Sequence, residues 1–169
     1  MTTMTDPTLA TTRVNSVYIR ATPQAIWDAV TTPEWTNRYG YGGYVEFDGL
    51  EPGAAFRVHA SQEFLDSGAP DVIIDGEVLE ADPPRRLVQT WRMLMDEGLK
   101  AEGFTRLTYE ISDAGDQGTK LTIVHELDGA PGLHALVGGE MEHTGAGGGW
   151  AWVLSDLKSL LETGTRLSE

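Results

Sequence analysis

The most regular hydrophobic pattern of the chain lies near its C-terminus. Apolar side chains recur there at intervals of three and four residues, at Trp150, Val153, Leu154, Leu157, Leu160 and Leu161. This spacing predicts a long helix with one apolar stripe, and Gly164 supplies the residue type that commonly ends a helix. Trp152 and Asp156 lie nearly opposite the stripe, so we expect both side chains to face outward.

A strand and a short helix are predicted near the N-terminus. Residues 13–21 alternate between polar and apolar side chains, which is typical of a strand with one buried face. Thr22 and Pro23 follow, and they favour a helix start because threonine caps a helix and proline suits its first position. An apolar stripe continues to Val30, and we expect a second short helical turn over residues 34–38.

Between residues 44 and 128 the pattern predicts strands joined by turns, and no helix. The expected strands cover residues 45–48, 55–61, 72–81, 86–94, 104–112 and 120–127. Strands that follow one another at this spacing are typical of an antiparallel meander. Residues 129–149 are rich in glycine and show no periodicity, so we predict a mobile connection there.

The order of these elements predicts the fold class. One strand, two short helices, six strands and a long helix indicate an α+β protein, because the apolar stripe of the last helix needs a sheet to cover. We expect a seven-stranded antiparallel sheet curved around that helix, with a space for a ligand between them. The predicted boundaries are a disordered leader at residues 1–12, a single domain at 13–165 and a tail at 166–169.

Composition narrows the class of partner. The 169 residues include 12 basic and 26 acidic side chains, for a net charge of −14, and 40% are hydrophobic. The basic residues are scattered, so we expect no nucleic acid bound through its phosphates and no membrane partner. Cysteine is absent, which excludes disulfides and cysteine-bound zinc. We see no secretory signal and no apolar run of about 20 residues, so we predict a cytoplasmic protein.

Two polar residues interrupt apolar strand faces and are candidates for chemistry. His125 shares a face with Leu121 and Ile123, so it is either a satisfied core histidine or a polar handle in the cavity. Gln89 shares a face with Trp91, and a buried amide needs hydrogen-bond partners. Gln89 therefore either lies near water at a sheet edge or contacts a bound molecule.

A metal site and a phosphate loop are both disfavoured. Glu140, His143 and His134 lie close in sequence, but the H-E-x-x-H spacing of a catalytic zinc helix is missing. Residues 144–149 are glycine-rich and precede a helix, but no Lys-Ser/Thr follows them. We expect no metal and no cofactor.

Several strings along the chain carry a family resemblance. The most specific is GEVLEADPPRRLVQTW at residues 76–91, and the others cover residues 25–35, 50–57, 118–126 and 148–164. Together they resemble the helix-grip (SRPBCC) superfamily of START domains, polyketide cyclases and the birch-pollen-allergen fold. The branch that they resemble most is that of the heat-shock protein 90 ATPase activator homologues. Members often have proline where this chain has Ala151, and Trp152 is a further departure.

This resemblance implies a helix-grip fold with a ligand cavity, and no shared catalytic set. We expect nine residues to contact the ligand: Trp27, Tyr39, Val58, Gln89, Trp91, Tyr109, His125, Met141 and Trp150. The expected function is non-catalytic binding of a small hydrophobic or aromatic molecule, as a carrier, a sensor or a means of sequestration.

Two other functions stay open at this point. The chain is either a co-chaperone-like interaction module, with a role in the stress response, or an enzyme of the polyketide cyclase or aromatase kind. A homodimer or another protein partner is expected to contact the outer face of the last helix through Trp152.

Overall fold

The computed structural model describes residues 11–41 and 43–167. Most of the predicted leader, together with the last two residues of the predicted tail, lies outside the described residues. Thr12, which we assigned to the leader, opens the first strand.

The described residues contain seven strands that form one antiparallel sheet. They are β1 (Thr12–Ile19), β2 (Tyr44–Phe47), β3 (Ala55–His59), β4 (Val72–Asp82), β5 (Arg86–Met93), β6 (Thr105–Asp113) and β7 (Thr119–Glu126). Their order across the sheet is β1-β7-β6-β5-β4-β3-β2, so β5 lies at the centre and β1 and β2 form the edges. The predicted meander is confirmed.

Two helices follow β1 as predicted, α1 (Pro23–Thr31) and α2 (Pro33–Thr36). The Thr22 hydroxyl oxygen accepts a hydrogen bond from the Ala25 N–H at 3.1 Å, which caps the start of α1. Ile26, with the other apolar residues of its stripe, packs into the core. The local start signal therefore decided where this helix begins.

The long C-terminal helix is also present and covers the curved sheet. We label it α6 (Gly149–Thr163), and it ends at Gly164, whose φ of 80° is left-handed. Its residues Leu154, Leu157 and Leu160 are buried, as the apolar stripe predicts. The α+β helix-grip architecture is thus confirmed.

Three short helices contradict the sequence interpretation. α3 (Gln62–Asp66) and α4 (Glu97–Ala101) lie in the region predicted to contain no helix, and α5 (Pro131–Val137) lies in the predicted loop. Each is too short to show a clear helical period. The signals that could have revealed them are local: the Ser61 and Asp96 side chains cap α3 and α4 by accepting backbone hydrogen bonds.

Asp156 is a further correction, because it is fully buried instead of facing outward. Its carboxylate accepts hydrogen bonds from the Gly40 N–H at 2.9 Å and the Leu167 N–H at 2.7 Å. The Arg166 guanidinium donates to the same carboxylate at 3.0 Å. Residues 166 and 167 were predicted as part of a tail. Their hydrogen bonds instead connect the outer side of α6 with the loop before β2.

Candidate functional site

A cavity of about 510 Å³ lies between the sheet and the first turns of α6. Its walls come from the centre and one side of the sheet, from α6 and from the loop that follows α2. The main apolar side chains around it are Val45, Phe56, Val58, Trp91, Trp150 and Val153. Large side chains on both layers thus hold the sheet and the helix apart at this end of the molecule.

The end of α5 packs against the start of α6 and closes the cavity beside Val137. Gly149 has a φ of 69°, and a Cβ at this position would overlap the Val137 carbonyl oxygen. Only glycine allows this close approach without strain. The close packing of α5 against α6 therefore requires glycine at position 149.

His125 lies in the core, where both of its ring nitrogens have a partner. The Trp150 Nε1–H donates to His125 Nδ1 at 3.1 Å, and the Thr105 hydroxyl lies 2.8 Å from His125 Nε2. The same hydroxyl donates its proton to the Trp91 carbonyl oxygen at 2.8 Å, so its oxygen must accept from Nε2–H. These bonds define a neutral histidine with its proton on Nε2.

Burial lowers the pKa of His125 from 6.5 to about 3. A second ring proton would lie on Nδ1 and point at the Trp150 N–H, which is itself a donor. His125 contacts the rings of Trp91 and Trp150, with ring centroids 5.2 and 6.0 Å away. His125 is therefore not among the residues that line the cavity, but it contacts the two tryptophans that do.

Gln89 lies on β5, the central strand, and only 3% of it is exposed. The interpretation that placed it near water at a sheet edge is therefore wrong. Its side chain lines the cavity, and its Oε1 is buried with no hydrogen-bond partner among the described residues. An unpaired buried amide oxygen costs about 1–3 kcal/mol, so this atom needs an explanation.

Two tyrosines complete the polar part of the cavity wall. The Tyr39 hydroxyl donates to the Ala29 carbonyl oxygen at 2.9 Å, and Tyr109 lies on β6 opposite Leu87. Burial raises the pKa of both hydroxyls above the ordinary value for tyrosine. Both therefore stay protonated and neutral at physiological pH.

Six of the nine expected contact residues line the cavity: Tyr39, Val58, Gln89, Trp91, Tyr109 and Trp150. The other three lie elsewhere. Trp27 is 4% exposed within the core cluster, His125 lies behind the tryptophans, and Met141 is 37% exposed on the surface. Trp27 lies beside the apolar stripe of α1, yet its side chain is also buried in the core.

Some lining residues were missed by the sequence analysis. Val45, Phe56 and Val153 line the cavity, but each looks like an ordinary core residue in an apolar pattern. The only available signal was that they share strand or helix faces with residues that we did expect there.

Two of the three residues considered for a metal site, His134 and Glu140, bind the Arg13 side chain. The Arg13 guanidinium hydrogen-bonds to His134 Nδ1 at 3.2 Å and forms an ion pair with Glu140. Within residues 11–41 and 43–167, no group of three or more His, Cys, Asp or Glu side chains is placed to hold a metal ion.

Trp152 is half-buried and has a partner within the chain. Its ring stacks on Tyr41 with centroids 5.1 Å apart and 24° between the ring planes. Tyr41 belongs to the loop beside the cavity, so this contact connects α6 to the cavity wall.

Comparison with known proteins assigns the family. The family model described as Activator of Hsp90 ATPase homolog 1-like protein matches residues 20–162, which is most of the chain. The chain belongs to this family. A search of curated proteins finds no match. Among the described residues, no helix is long and apolar enough to cross a membrane.

Solved structures of this activator family and of other proteins share the fold. The Aha1 dimer from Colwellia psychrerythraea has 18% identity and a TM-score of 0.60, covering 91% of this chain and 98% of that one. PFC0360w, an HSP90 activator from Plasmodium falciparum, has 20% identity and a TM-score of 0.53, covering 69% and 73%. DynU16, a protein of the dynemicin biosynthetic locus, has 23% identity and a TM-score of 0.63, covering 92% of this chain and 49% of that one. At these identities the similarity establishes the fold alone.

Proposed function

We propose that this protein binds a small, largely apolar or aromatic molecule in the cavity between the sheet and α6, and acts as a carrier, a sensor or a means of sequestration. The observation that carries the proposal is the cavity itself. Its volume of about 510 Å³ falls in the range of sites for small organic ligands. Its walls are apolar and aromatic, and a few polar groups interrupt them, as in such sites generally.

The chemistry of the lining favours binding over catalysis. Among the described residues, the cavity lining contains no Asp, Glu, His, Lys or Arg side chain. A cyclase that moves protons needs an acid and a base with pKa values near the working pH. The two buried tyrosines, whose pKa values are raised, do not meet that requirement.

A ligand screen with a matched pair of variants tests the proposal. We expect some compounds of a naphthalene-sized aromatic panel to raise the melting temperature, because binding to the native state stabilises it by about 2.7 kcal/mol at 100 times Kd. Val58→Trp places a large ring in the cavity and should abolish the shift. Val14→Trp makes the same change at a side chain that is 62% exposed, and should leave it intact. Equal shifts in the two variants, or no binding by the wild type, would refute the cavity as the binding site.

A second candidate is a protein-interaction module of co-chaperone type, with a role in the cytoplasmic stress response. The family description and the HSP90 activator among the structural neighbours support it. The test is the ATPase rate of an Hsp90-type chaperone with and without this protein. A rate that rises with the protein, and rises equally with Val58→Trp, would favour this function over ligand binding.

A further inference from the structure

Asp156 is a fully buried carboxylate that connects three parts of the chain. It lies on α6, and its two oxygens accept hydrogen bonds from the Gly40 N–H, the Leu167 N–H and the Arg166 guanidinium. The guanidinium also donates to the Gly40 carbonyl oxygen at 2.6 Å. Both backbone polar groups of Gly40 are therefore held, the N–H by Asp156 and the carbonyl by Arg166.

A second contact holds the next residue of the same loop to α6. The Tyr41 ring stacks on Trp152, which lies one helical turn before Asp156 on the same side of α6. Gly147 packs so closely against the Tyr41 ring that a Cβ at this position would overlap the hydroxyl oxygen. A polar and an aromatic contact thus fix residues 39–41 to α6, and we call these two contacts the latch.

The loop that the latch holds forms part of the cavity wall. Tyr39, Gly40 and Tyr41 all line the cavity. Tyr41 and Met95 are lining residues that are also 42% and 39% exposed, so the cavity reaches the surface beside them. A molecule that enters or leaves the cavity at this point passes the loop.

The polar half of the latch favours two distinct states of the loop. A buried ion pair is strongly destabilised when one partner is removed, because the other charge is left without compensation. The Arg166 side chain is 21% exposed, whereas Asp156 is completely enclosed. Movement of Arg166 into solvent therefore weakens the hold of both backbone groups of Gly40 together. Such a contact is either made or broken, as a switching element requires.

We propose that the latch gates the cavity: a ligand enters and leaves when residues 39–41 release α6, and Asp156 and Arg166 set how often this happens. This inference rests on the proposed function. Asp156 and Arg166 are positioning residues, because they act on the ligand through Gly40, which lines the cavity. A gate controls association and dissociation alike, since both pass through the released state. A loop that only adds contacts to the bound ligand would change dissociation alone.

Stopped-flow fluorescence of the full chain measures both rate constants. The probe is N-phenyl-1-naphthylamine, a neutral aromatic molecule whose emission rises in an apolar site. Arg166→Met keeps an unbranched side chain and removes the hydrogen bonds to Gly40 and Asp156. We expect both rate constants to rise about tenfold and Kd to change less than about twofold, because hydrogen bonds to charged groups are the strong ones.

Two further variants complete the series. Trp152→Ser removes the aromatic half of the latch and should raise both rate constants about threefold, since aromatic pairs contribute less than charged hydrogen bonds. Arg106→Met is the matched control. It breaks the ion pair between the half-exposed Arg106 and Glu126 on the sheet, and it should leave both rate constants unchanged.

Hydrogen exchange gives a readout that needs no ligand. The Gly40 amide, which Asp156 binds, should exchange about tenfold faster in Arg166→Met than in the wild type. The amides of β6 should keep their protection. An equal loss of protection at Gly40 and throughout β6 would show a general loss of stability and would overturn the gate.

The outcomes separate the gate from the proposed function. Unchanged rate constants in Arg166→Met and Trp152→Ser, or faster dissociation with unchanged association, would overturn the gate while leaving a ligand cavity. If the wild type binds neither this probe nor any compound of the aromatic panel, the proposed function fails, and the gate fails with it. Trp152→Ser, at a half-buried position, decides the matter if Arg166→Met does not fold.

Discussion

Gln89 and His125 lie in one row across three neighbouring strands, with Leu107 between them. Both are polar, both are almost completely buried, and both interrupt an apolar face. Yet both nitrogens of His125 are hydrogen-bonded, whereas the oxygen of Gln89 has no partner within residues 11–41 and 43–167. The difference separates a buried polar group whose hydrogen bonds are made within the chain from one whose oxygen lacks a partner among the described residues.

The two side chains also differ in their surroundings. His125 is enclosed by side chains from β6, β5 and α6, which provide its partners. Gln89, two positions across the row, borders the open volume beneath α6. Burial alone therefore does not show whether a polar side chain has its hydrogen bonds satisfied.

The largest expected effect in this comparison is the pH dependence caused by His125. The unfolded chain takes up a proton at this residue below about pH 6.5, whereas the folded protein does so only near pH 3. The free energy of unfolding should therefore fall as the pH is lowered from 6.5 to 3, by up to about 1.4 kcal/mol per pH unit. Urea denaturation at several pH values measures this slope. His125→Leu should lose this part of the slope, and an unchanged slope would contradict the assignment.

Replacing His125 by leucine also tests its structural role at neutral pH. We expect the free energy of unfolding to fall by about 2–3 kcal/mol at pH 7, since the Trp150 N–H loses its acceptor in a buried site. Urea denaturation measures the loss. Val124→Leu, a half-buried neighbour on β7, serves as the control and should change stability little. A neutral result for His125→Leu would mean that the network contributes nothing.

The same substitution at the other end of the row should have the opposite sign. Gln89→Leu removes an unpaired buried oxygen, so we expect the free energy of unfolding to stay the same or to rise by about 1 kcal/mol. Urea denaturation of Gln89→Leu and His125→Leu in parallel gives the direct comparison. A destabilisation of Gln89→Leu as large as that of His125→Leu would place both residues in the structural class.

A small loss of stability is also expected at Trp152, which lies outside the row and whose contact with Tyr41 is between two aromatic rings. Trp152→Ser should cost about 0.5–1.5 kcal/mol, because it removes the stacking with Tyr41. A double-mutant cycle with Tyr41→Leu should show a coupling of similar size, and additive losses would contradict the contact.

Mass measurements in solution test a second role of Trp152. A wild-type dimer that dissociates in Trp152→Ser would place this residue at the predicted protein interface, and equal masses would leave only the contact within the chain.

The comparison also shows which parts of the site were predictable. The sequence marks Gln89 and His125 as unusual, because each breaks an alternating apolar pattern. It does not reveal which of them is paired. The partners of His125 lie 20 and 25 residues away along the chain, on β6 and α6. No local pattern reports such contacts.

The errors in the predicted secondary structure are confined to short helices. Most strands and α6 repeat their period several times, and the seven strands and α6 were predicted in the correct order. The helices α3, α4 and α5 span one or two turns, and their amphipathic pattern has no room to repeat. Asp156 was misplaced for a different reason: its position on the helix is polar, but Arg166 and the backbone at Gly40 cover it.

The sequence by itself determined the seven strands, the first two helices, the long C-terminal helix, their order and the family, because helix caps, turns and periodic apolar faces act over a few residues. Only the tertiary structure decided where the cavity lies and which buried polar atoms have partners. The tryptophans on β5 and α6 come together through the packing of a helix on a sheet, and they leave a volume that neither element encodes alone. A hydrogen bond between distant segments forms only when the fold brings both groups within about 3 Å, and in the described part of the chain no donor lies that close to Gln89 Oε1.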